Sequence, residues 1–147
     1  MKKHIEIHRN PYEEPFHINL IVKASNGTQA GEIEIYDNGE KLKLIASSLE
    51  SFPKHNTDTY LWELGSERSE DKFAFFFRFR VYVINLSGSC AIQLRFNNNQ
   101  DYPDLAITDF CIKAEPAGIN RLGKLFREFS KLEKRKLFWD GVEGQVM

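Results

Sequence analysis

"KFAFFFRFRVYVIN", residues 72–85, packs aromatic and basic side chains into one unbroken run. Read as a strand, it places Phe73, Phe75, Phe77, Phe79, Val81 and Val83 on one face and Ala74, Phe76, Arg78, Arg80 and Tyr82 on the other. The first face belongs in a core. The second face is the open question. Phe76 and Tyr82 offer stacking surfaces, Arg78 and Arg80 offer phosphate contacts, and Arg95 follows on the next strand. That combination suits a single-stranded nucleic acid. The competing expectation is an ordinary outer face, with the two arginines paired across a sheet to Glu32 and Glu34.

Working outward, the chain alternates apolar and polar residues in several short segments, the strand period. Residues 3–8 alternate, with Ile5 and Ile7 on one side. Pro11 and Pro15 interrupt, and residues 16–24 resume with Phe16, Ile18, Leu20, Val22 and Ala24 on one face. "SNGT", residues 25–28, holds an Asn-Gly turn signal, and residues 30–37 return as the second arm of a hairpin. The period then changes. Leu42, Ile45, Leu49 and Phe52 recur at helical spacing, with Asp37 or Asn38 available as cap and Pro53 as stop. Strands are expected at 59–64, 73–83, 90–97 and 105–114, the last with Ala106, Thr108, Phe110, Ile112 and Ala114 inward. Pro116 sits well at the first turn of a second helix, which Ile119, Leu122, Leu125, Phe126, Phe129 and Leu132 make amphipathic. Phe138 and Trp139 suggest a tail that docks back on the body.

The expected class is α+β: about seven strands in mostly antiparallel sheets with two amphipathic helices, in the order βββαββββα. With 147 residues, no linker and no internal repeat, a single domain over 1–147 is expected. A hydrophobic content of 41% and a charged content of 28% are those of a globular chain. The net charge of −1 supplies no global attraction to nucleic acid or membrane. It is unevenly spread. Residues 1–72 carry nine Lys and Arg against thirteen Asp and Glu, and residues 73–147 carry eleven against eight. "MKKHIEIHRN" lacks the apolar core of a signal peptide, and no apolar stretch is long enough to span a membrane. Cys90 and Cys111 fall in expected strands, as small buried hydrophobes of a reduced cytoplasm.

Candidate chemistry is sparse. His4, Glu6 and His8 share one strand face, roughly 7 Å apart at each step, and His17 lies on the next strand. An HxH pair can bind zinc, but a polar outer face is the simpler expectation. The chain has no phosphate-binding glycine loop, GxSxG frame or CxxC pair, so neither an enzyme nor a cofactor is expected. The acidic residues form the larger candidate set: Glu13, Glu14, Asp37, Glu40, Asp58, Glu63, Glu67, Glu70 and Asp71. Several fall in loops, where they suit a basic protein partner such as a nuclease. Tyr12, Tyr36, Tyr60 and Trp62 are the aromatic anchors expected beside them.

The element order is similar to the Whirly-type single-strand-binding fold, which repeats a four-strand unit followed by a helix. The first unit here shows three strands, and the KGNKR-type motif of plant Whirly proteins is absent. The chain also resembles small bacterial immunity proteins of contact-dependent inhibition and other polymorphic toxin systems. The likeness lies in size, mixed charge and topology, with "SLESFP" (48–53), "AIQLRFNNN" (91–99) and "RLGKLFREFSKL" (121–132) as the stretches that look like signatures. That resemblance implies a cytoplasmic, non-catalytic inhibitor that covers the active site of one cognate toxin.

Overall fold

In the computed structural model, which describes residues 2–147, alternation and helical spacing translate into nine strands and two α-helices. The strands are β1 (His4–Asn10), β2 (Ile18–Ser25), β3 (Ala30–Asp37), β4 (Thr59–Gly65), β5 (Phe76–Val83), β6 (Cys90–Asn97), β7 (Ile107–Ala114), β8 (Lys136–Trp139) and β9 (Gly144–Val146). The helices are α1 (Gly39–Glu50), after β3, and α2 (Pro116–Phe129), after β7. Sheet A has the order β3-β2-β1-β8-β9 and sheet B the order β4-β5-β6-β7, all neighbours antiparallel.

The expected α+β class and antiparallel sheets are present, but the strand count is nine rather than seven. The additional strands come from the tail. "EKRKLFWDG" is charged and short, so its period is hard to read. Leu137 and Trp139 nevertheless pair opposite Ile7 and Ile5 of β1 and are fully buried. β1 is thereby an interior strand, with β2 on one side and β8 on the other.

The caps follow the sequence signals. Asn38 accepts a hydrogen bond from the Lys41 backbone N–H at the start of α1, and Pro116 occupies the first turn of α2. One continuous core draws on both sheets and both helices. Phe126 of α2 meets Trp62 and Phe79 of sheet B edge-on, with ring centroids 6.4 and 6.3 Å apart. Trp139 of sheet A donates its indole N–H to the Gly118 carbonyl at 2.9 Å. α2 therefore ties the two sheets together.

The helices cross closely at Gly123. A Cβ there would lie 2.6 Å from the Glu50 backbone nitrogen and 2.8 Å from the Leu49 carbonyl carbon. Alanine gains about 1 kcal/mol in helix propensity, but pushing packed backbone apart costs about 3 kcal/mol. Gly123→Ala is expected to lose about 2 kcal/mol in a denaturant melt. An unchanged or raised midpoint would show that the helices do not cross there.

Several residues depart from the expected strand faces. Phe73 is not inward. It stands 54% exposed in the loop before β5. Both partners of β5 run out opposite Phe76, β4 at Gly65 and β6 at Asn97, so residues 73–75 have no ladder to join. Gly65 has φ +79°, and a side chain there would collide with the Phe75 carbonyl. Phe76 keeps the expected outer face but is buried there beneath the Arg78 guanidinium. Phe16 precedes β2 rather than joining it and is 77% exposed. Ala106 precedes β7 and is exposed.

Candidate protein-binding surface

The outer face of sheet B decides between the two expectations for the arginines. Register aligns Glu63, Arg78, Arg95 and Asp109 in one row across β4, β5, β6 and β7. Arg78 donates to Glu63 at 2.7 Å, and Arg95 donates to Asp109 at 3.0 Å. Arg95 also reaches Glu67 at 2.8 Å. Arg80 donates to Gln93 at 2.9 Å and lies over the Tyr82 ring, 4.4 Å from its centroid. Arg78 covers Phe76 in the same way at 5.2 Å. The four-residue row sums to zero charge, and its aromatic partners carry guanidinium groups on their faces. A phosphate backbone needs unspent cations and free stacking faces, and this row leaves few of either.

The acids that do this pairing are not those expected. Glu32 and Glu34 lie on β3 in the other sheet, so they cannot reach Arg78 or Arg80. Glu32 faces Lys23 at 3.9 Å, and Glu34 accepts from the Asn19 amide.

Five exposed acids lie at one end of sheet B, on two loops. The first joins β4 to β5 (66–75), and the second joins β6 to β7 (98–106). They are laced together. The Asn99 amide donates to the Ser66 carbonyl at 2.8 Å and the Phe73 carbonyl at 3.1 Å. Asn97 donates to Glu67 at 2.6 Å. The Asn98 side chain accepts from the Ala106 backbone N–H and donates to the Asp104 carbonyl. "NNN" is thus a set of side-chain tethers. Between the loops runs an open groove of about 350 Å³ lined by Glu67, Lys72, Phe73, Gln100 and Leu105, among others. Glu70, Asp71, Asp101 and Asp104 stand exposed on the same two loops, Glu70 in an ion pair with Arg68 at 2.7 Å. Residues 66–73 and 97–105 carry five carboxylates against Arg68 and Lys72. Phe73 is half exposed and Tyr102 is 84% exposed. The result is an acidic surface, tied down from within and tipped by two aromatic side chains.

Arg95 holds the Glu67 carboxyl below the ordinary carboxylate range; partial burial opposes this, and Asn97 adds to the lowering. A depressed folded-state pKa contributes stability above the unfolded value, about 4.3 for glutamate. That contribution is lost as pH falls through the lower folded value. The loop tether is therefore expected to be complete at neutral pH and to release only below the ordinary glutamate value. A carboxyl-carbon NMR titration checks this. A Glu67 midpoint at or above about 4.3 would contradict the pairing.

The remaining expected site residues divide. Glu63 serves the cross-strand row. Glu14 is bound by the buried guanidinium of Arg9 at 2.6 Å. Asp37 accepts from the Trp62 indole N–H at 2.9 Å. Trp62 itself is 1% exposed, so it is a core residue and not a surface anchor. Tyr60 is half-buried against the core, and burial with nearby Asp37 pushes its hydroxyl up to about 12. Glu13, Glu40, Tyr12 and Tyr36 are exposed near the start of α1, where the two tyrosine rings meet edge-on at 6.1 Å. Tyr102, Asp101 and Asp104 were not among the expected site residues. A lone aromatic in the polar run "NNNQDYPD" was the available signal.

On the outer face of sheet A, Glu6 accepts from His8 at 2.6 Å and Lys136 at 3.1 Å. His4 stacks on Phe138, and His17 lies outside the strands beside Glu13. Among the described residues, no group of three His, Cys, Asp or Glu is arranged to hold a metal ion. Cys90 is buried, Cys111 is half-buried, and both are unbridged. Among the described residues, no helix is long and apolar enough to cross a membrane. Comparison with protein-family models, with curated proteins and with solved structures finds no match for this chain.

Proposed function

We propose that this chain is an immunity protein: a non-catalytic inhibitor that binds a cognate toxin, with a nuclease as the partner class. The acidic loop pair at the end of sheet B is its docking surface. The observation that carries this proposal is the combination of acid, exposed aromatics and internal tethering on one small surface. Carboxylates there complement a basic substrate cleft and steer association. Phe73 and Tyr102 supply the large apolar contacts that anchor interfaces. The asparagine tethers fix both loops in advance, which lowers the entropic cost of binding. Two sheets with a helix following the main strand block of each fit a Whirly-like architecture reused for protein binding in a reducing cytoplasm. A single-stranded nucleic acid is the less favoured ligand, because Arg78 and Arg95 are already paired with carboxylates and Arg80 is held by Gln93 over the Tyr82 ring.

The test pairs the purified protein with the product of the neighbouring upstream gene, where the proposal expects the cognate toxin. A stable complex that abolishes nuclease activity is expected, with an association rate that falls about tenfold or more as salt is raised. Glu70→Lys with Asp71→Lys and Asp104→Lys should slow association further while leaving the fold unchanged. No complex, or a variant that binds as fast as the parent, would overturn the proposal. A salt-dependent complex with a labelled single-stranded oligonucleotide, lost on Arg78→Glu with Arg80→Glu, would favour the nucleic-acid ligand instead.

A further inference from the structure

A second surface, built from other elements, has the opposite electrical character. The loop from β1 to β2 (11–17), the first turns of α1 and the segment after α2 (130–135) enclose an open groove of about 590 Å³. Its apolar lining comes from Pro15, Phe16, Gly39, Leu44 and Leu132. Phe16 is 77% exposed and Leu44 is 53% exposed, although both stand on well-anchored backbone.

The anchoring is specific. Arg9, only 4% exposed, binds Glu14 with one guanidinium nitrogen and donates twice to the Lys134 carbonyl, at 2.9 and 3.1 Å. The Arg9 backbone N–H meets the Arg135 carbonyl at 2.7 Å, and the Gly39 N–H meets the Pro15 carbonyl at 2.9 Å. All three walls are held to one another.

The charges around this groove are unequal in what they leave unspent. Of the nearby carboxylates, Glu14 is ion-paired to Arg9 and Glu40 to Lys43 at 3.7 Å, whereas Asp37 has only the Trp62 indole and Glu13 only the His17 imidazole, at 3.9 Å, beside them. Glu133 has no partner among the described residues. Lys41, Lys131, Lys134 and Arg135 likewise have no ion pair among the described residues, and the last three are exposed. Lys41 lines the groove beside the paired Glu40 and Lys43, and Lys131, Lys134 and Arg135 stand exposed on the segment that supplies Ser130 and Leu132, so unpaired cations outnumber unpaired carboxylates around its apolar floor.

We propose that this groove docks an acidic amphipathic segment of a partner protein, most simply a helix. Two or three apolar side chains at helical spacing would seat against Phe16, Leu44 and Leu132. Carboxylates on the flanks of that helix would meet Lys41, Lys131, Lys134 and Arg135. Concavity favours a peptide over a bilayer, because a lipid surface needs a wide convex apolar face. This docking does not depend on the toxin-binding proposal and uses none of the residues of the loop pair.

The probe is a synthetic helical peptide of about 18 residues, with leucine on one face and glutamate elsewhere, titrated into the isotope-labelled protein by NMR. Parallel samples use the same peptide with lysine for glutamate, vesicles of equal phosphatidylcholine and phosphatidylglycerol, and the protein alone over a concentration series. The glutamate peptide is expected to shift the amides of Phe16, Lys41, Leu44 and Leu132 and not those of the loop pair. Phe16→Ala with Leu44→Ala should weaken it at least tenfold. Lys41→Glu with Lys131→Glu should do the same with the apolar floor intact. All four side chains are at the surface, so an unchanged amide spectrum elsewhere confirms folding. The proposal is overturned by no shift, by equal response to the lysine peptide, by preferential binding to vesicles, or by a groove already covered through self-association.

Discussion

Trp62→Ala is expected to lower the unfolding free energy by about 4 kcal/mol and the melting temperature by roughly 10 °C. The indole is 1% exposed, meets Phe77 edge-on at a centroid distance of 4.8 Å, and also contacts Phe79 and Phe126. Truncation leaves a cavity between sheet B and α2 that neighbouring rings cannot fill without leaving their rotamers. It also strips Asp37 of its indole donor. Trp62→Phe, which keeps most of the volume but not the N–H, should lose about 1–2 kcal/mol. A loss below about 1 kcal/mol for the alanine variant would return Trp62 to the surface, where interface residues are cheap to truncate.

Phe73→Ala combined with Tyr102→Ala is expected to have the opposite profile. Both rings are largely in water, so stability should change by no more than about 0.5 kcal/mol. Affinity for the cognate toxin should fall by about 3 kcal/mol, roughly a hundredfold, mostly through faster dissociation. Charge reversal at Glu70 and Asp71 acts mainly on the association rate, because exposed charges steer more than they hold. The two classes of variant therefore separate anchoring from steering. Unchanged affinity in the double alanine variant would remove the loop tips from the interface.

Period and punctuation made most of the architecture legible. The alternation of Ile18, Leu20 and Val22, the helical spacing of Leu42, Ile45 and Leu49, and Pro116 at a helix start each gave the observed element. The tail was the main loss, since β8 and β9 are too short for a period and gain their stability from pairing, β8 with β1 and β9 with β8. Facing was legible only within a ladder. The alternation of "KFAFFF" continues past the point where β4 and β6 end, so Phe73 looks like core and is not. Sequence placed acids in loops but could not tell spent from free. Glu14, Glu63 and Glu67 answer to Arg9, Arg78 and Arg95, partners set by tertiary register rather than by sequence distance. The same holds for the choice of Glu63 and Asp109 over Glu32 and Glu34, which depends on which sheet β3 joins.

The most direct test of the docking surface is the hydrogen-exchange footprint of the complex with the cognate toxin domain. Backbone amides at 66–73 and 97–105 are expected to gain protection on binding, while β5 and β6 between Arg78 and Tyr82 and between Ala91 and Arg95 stay as in the free protein. Protection confined to that arginine face, with both loops exchanging as before, would contradict the account.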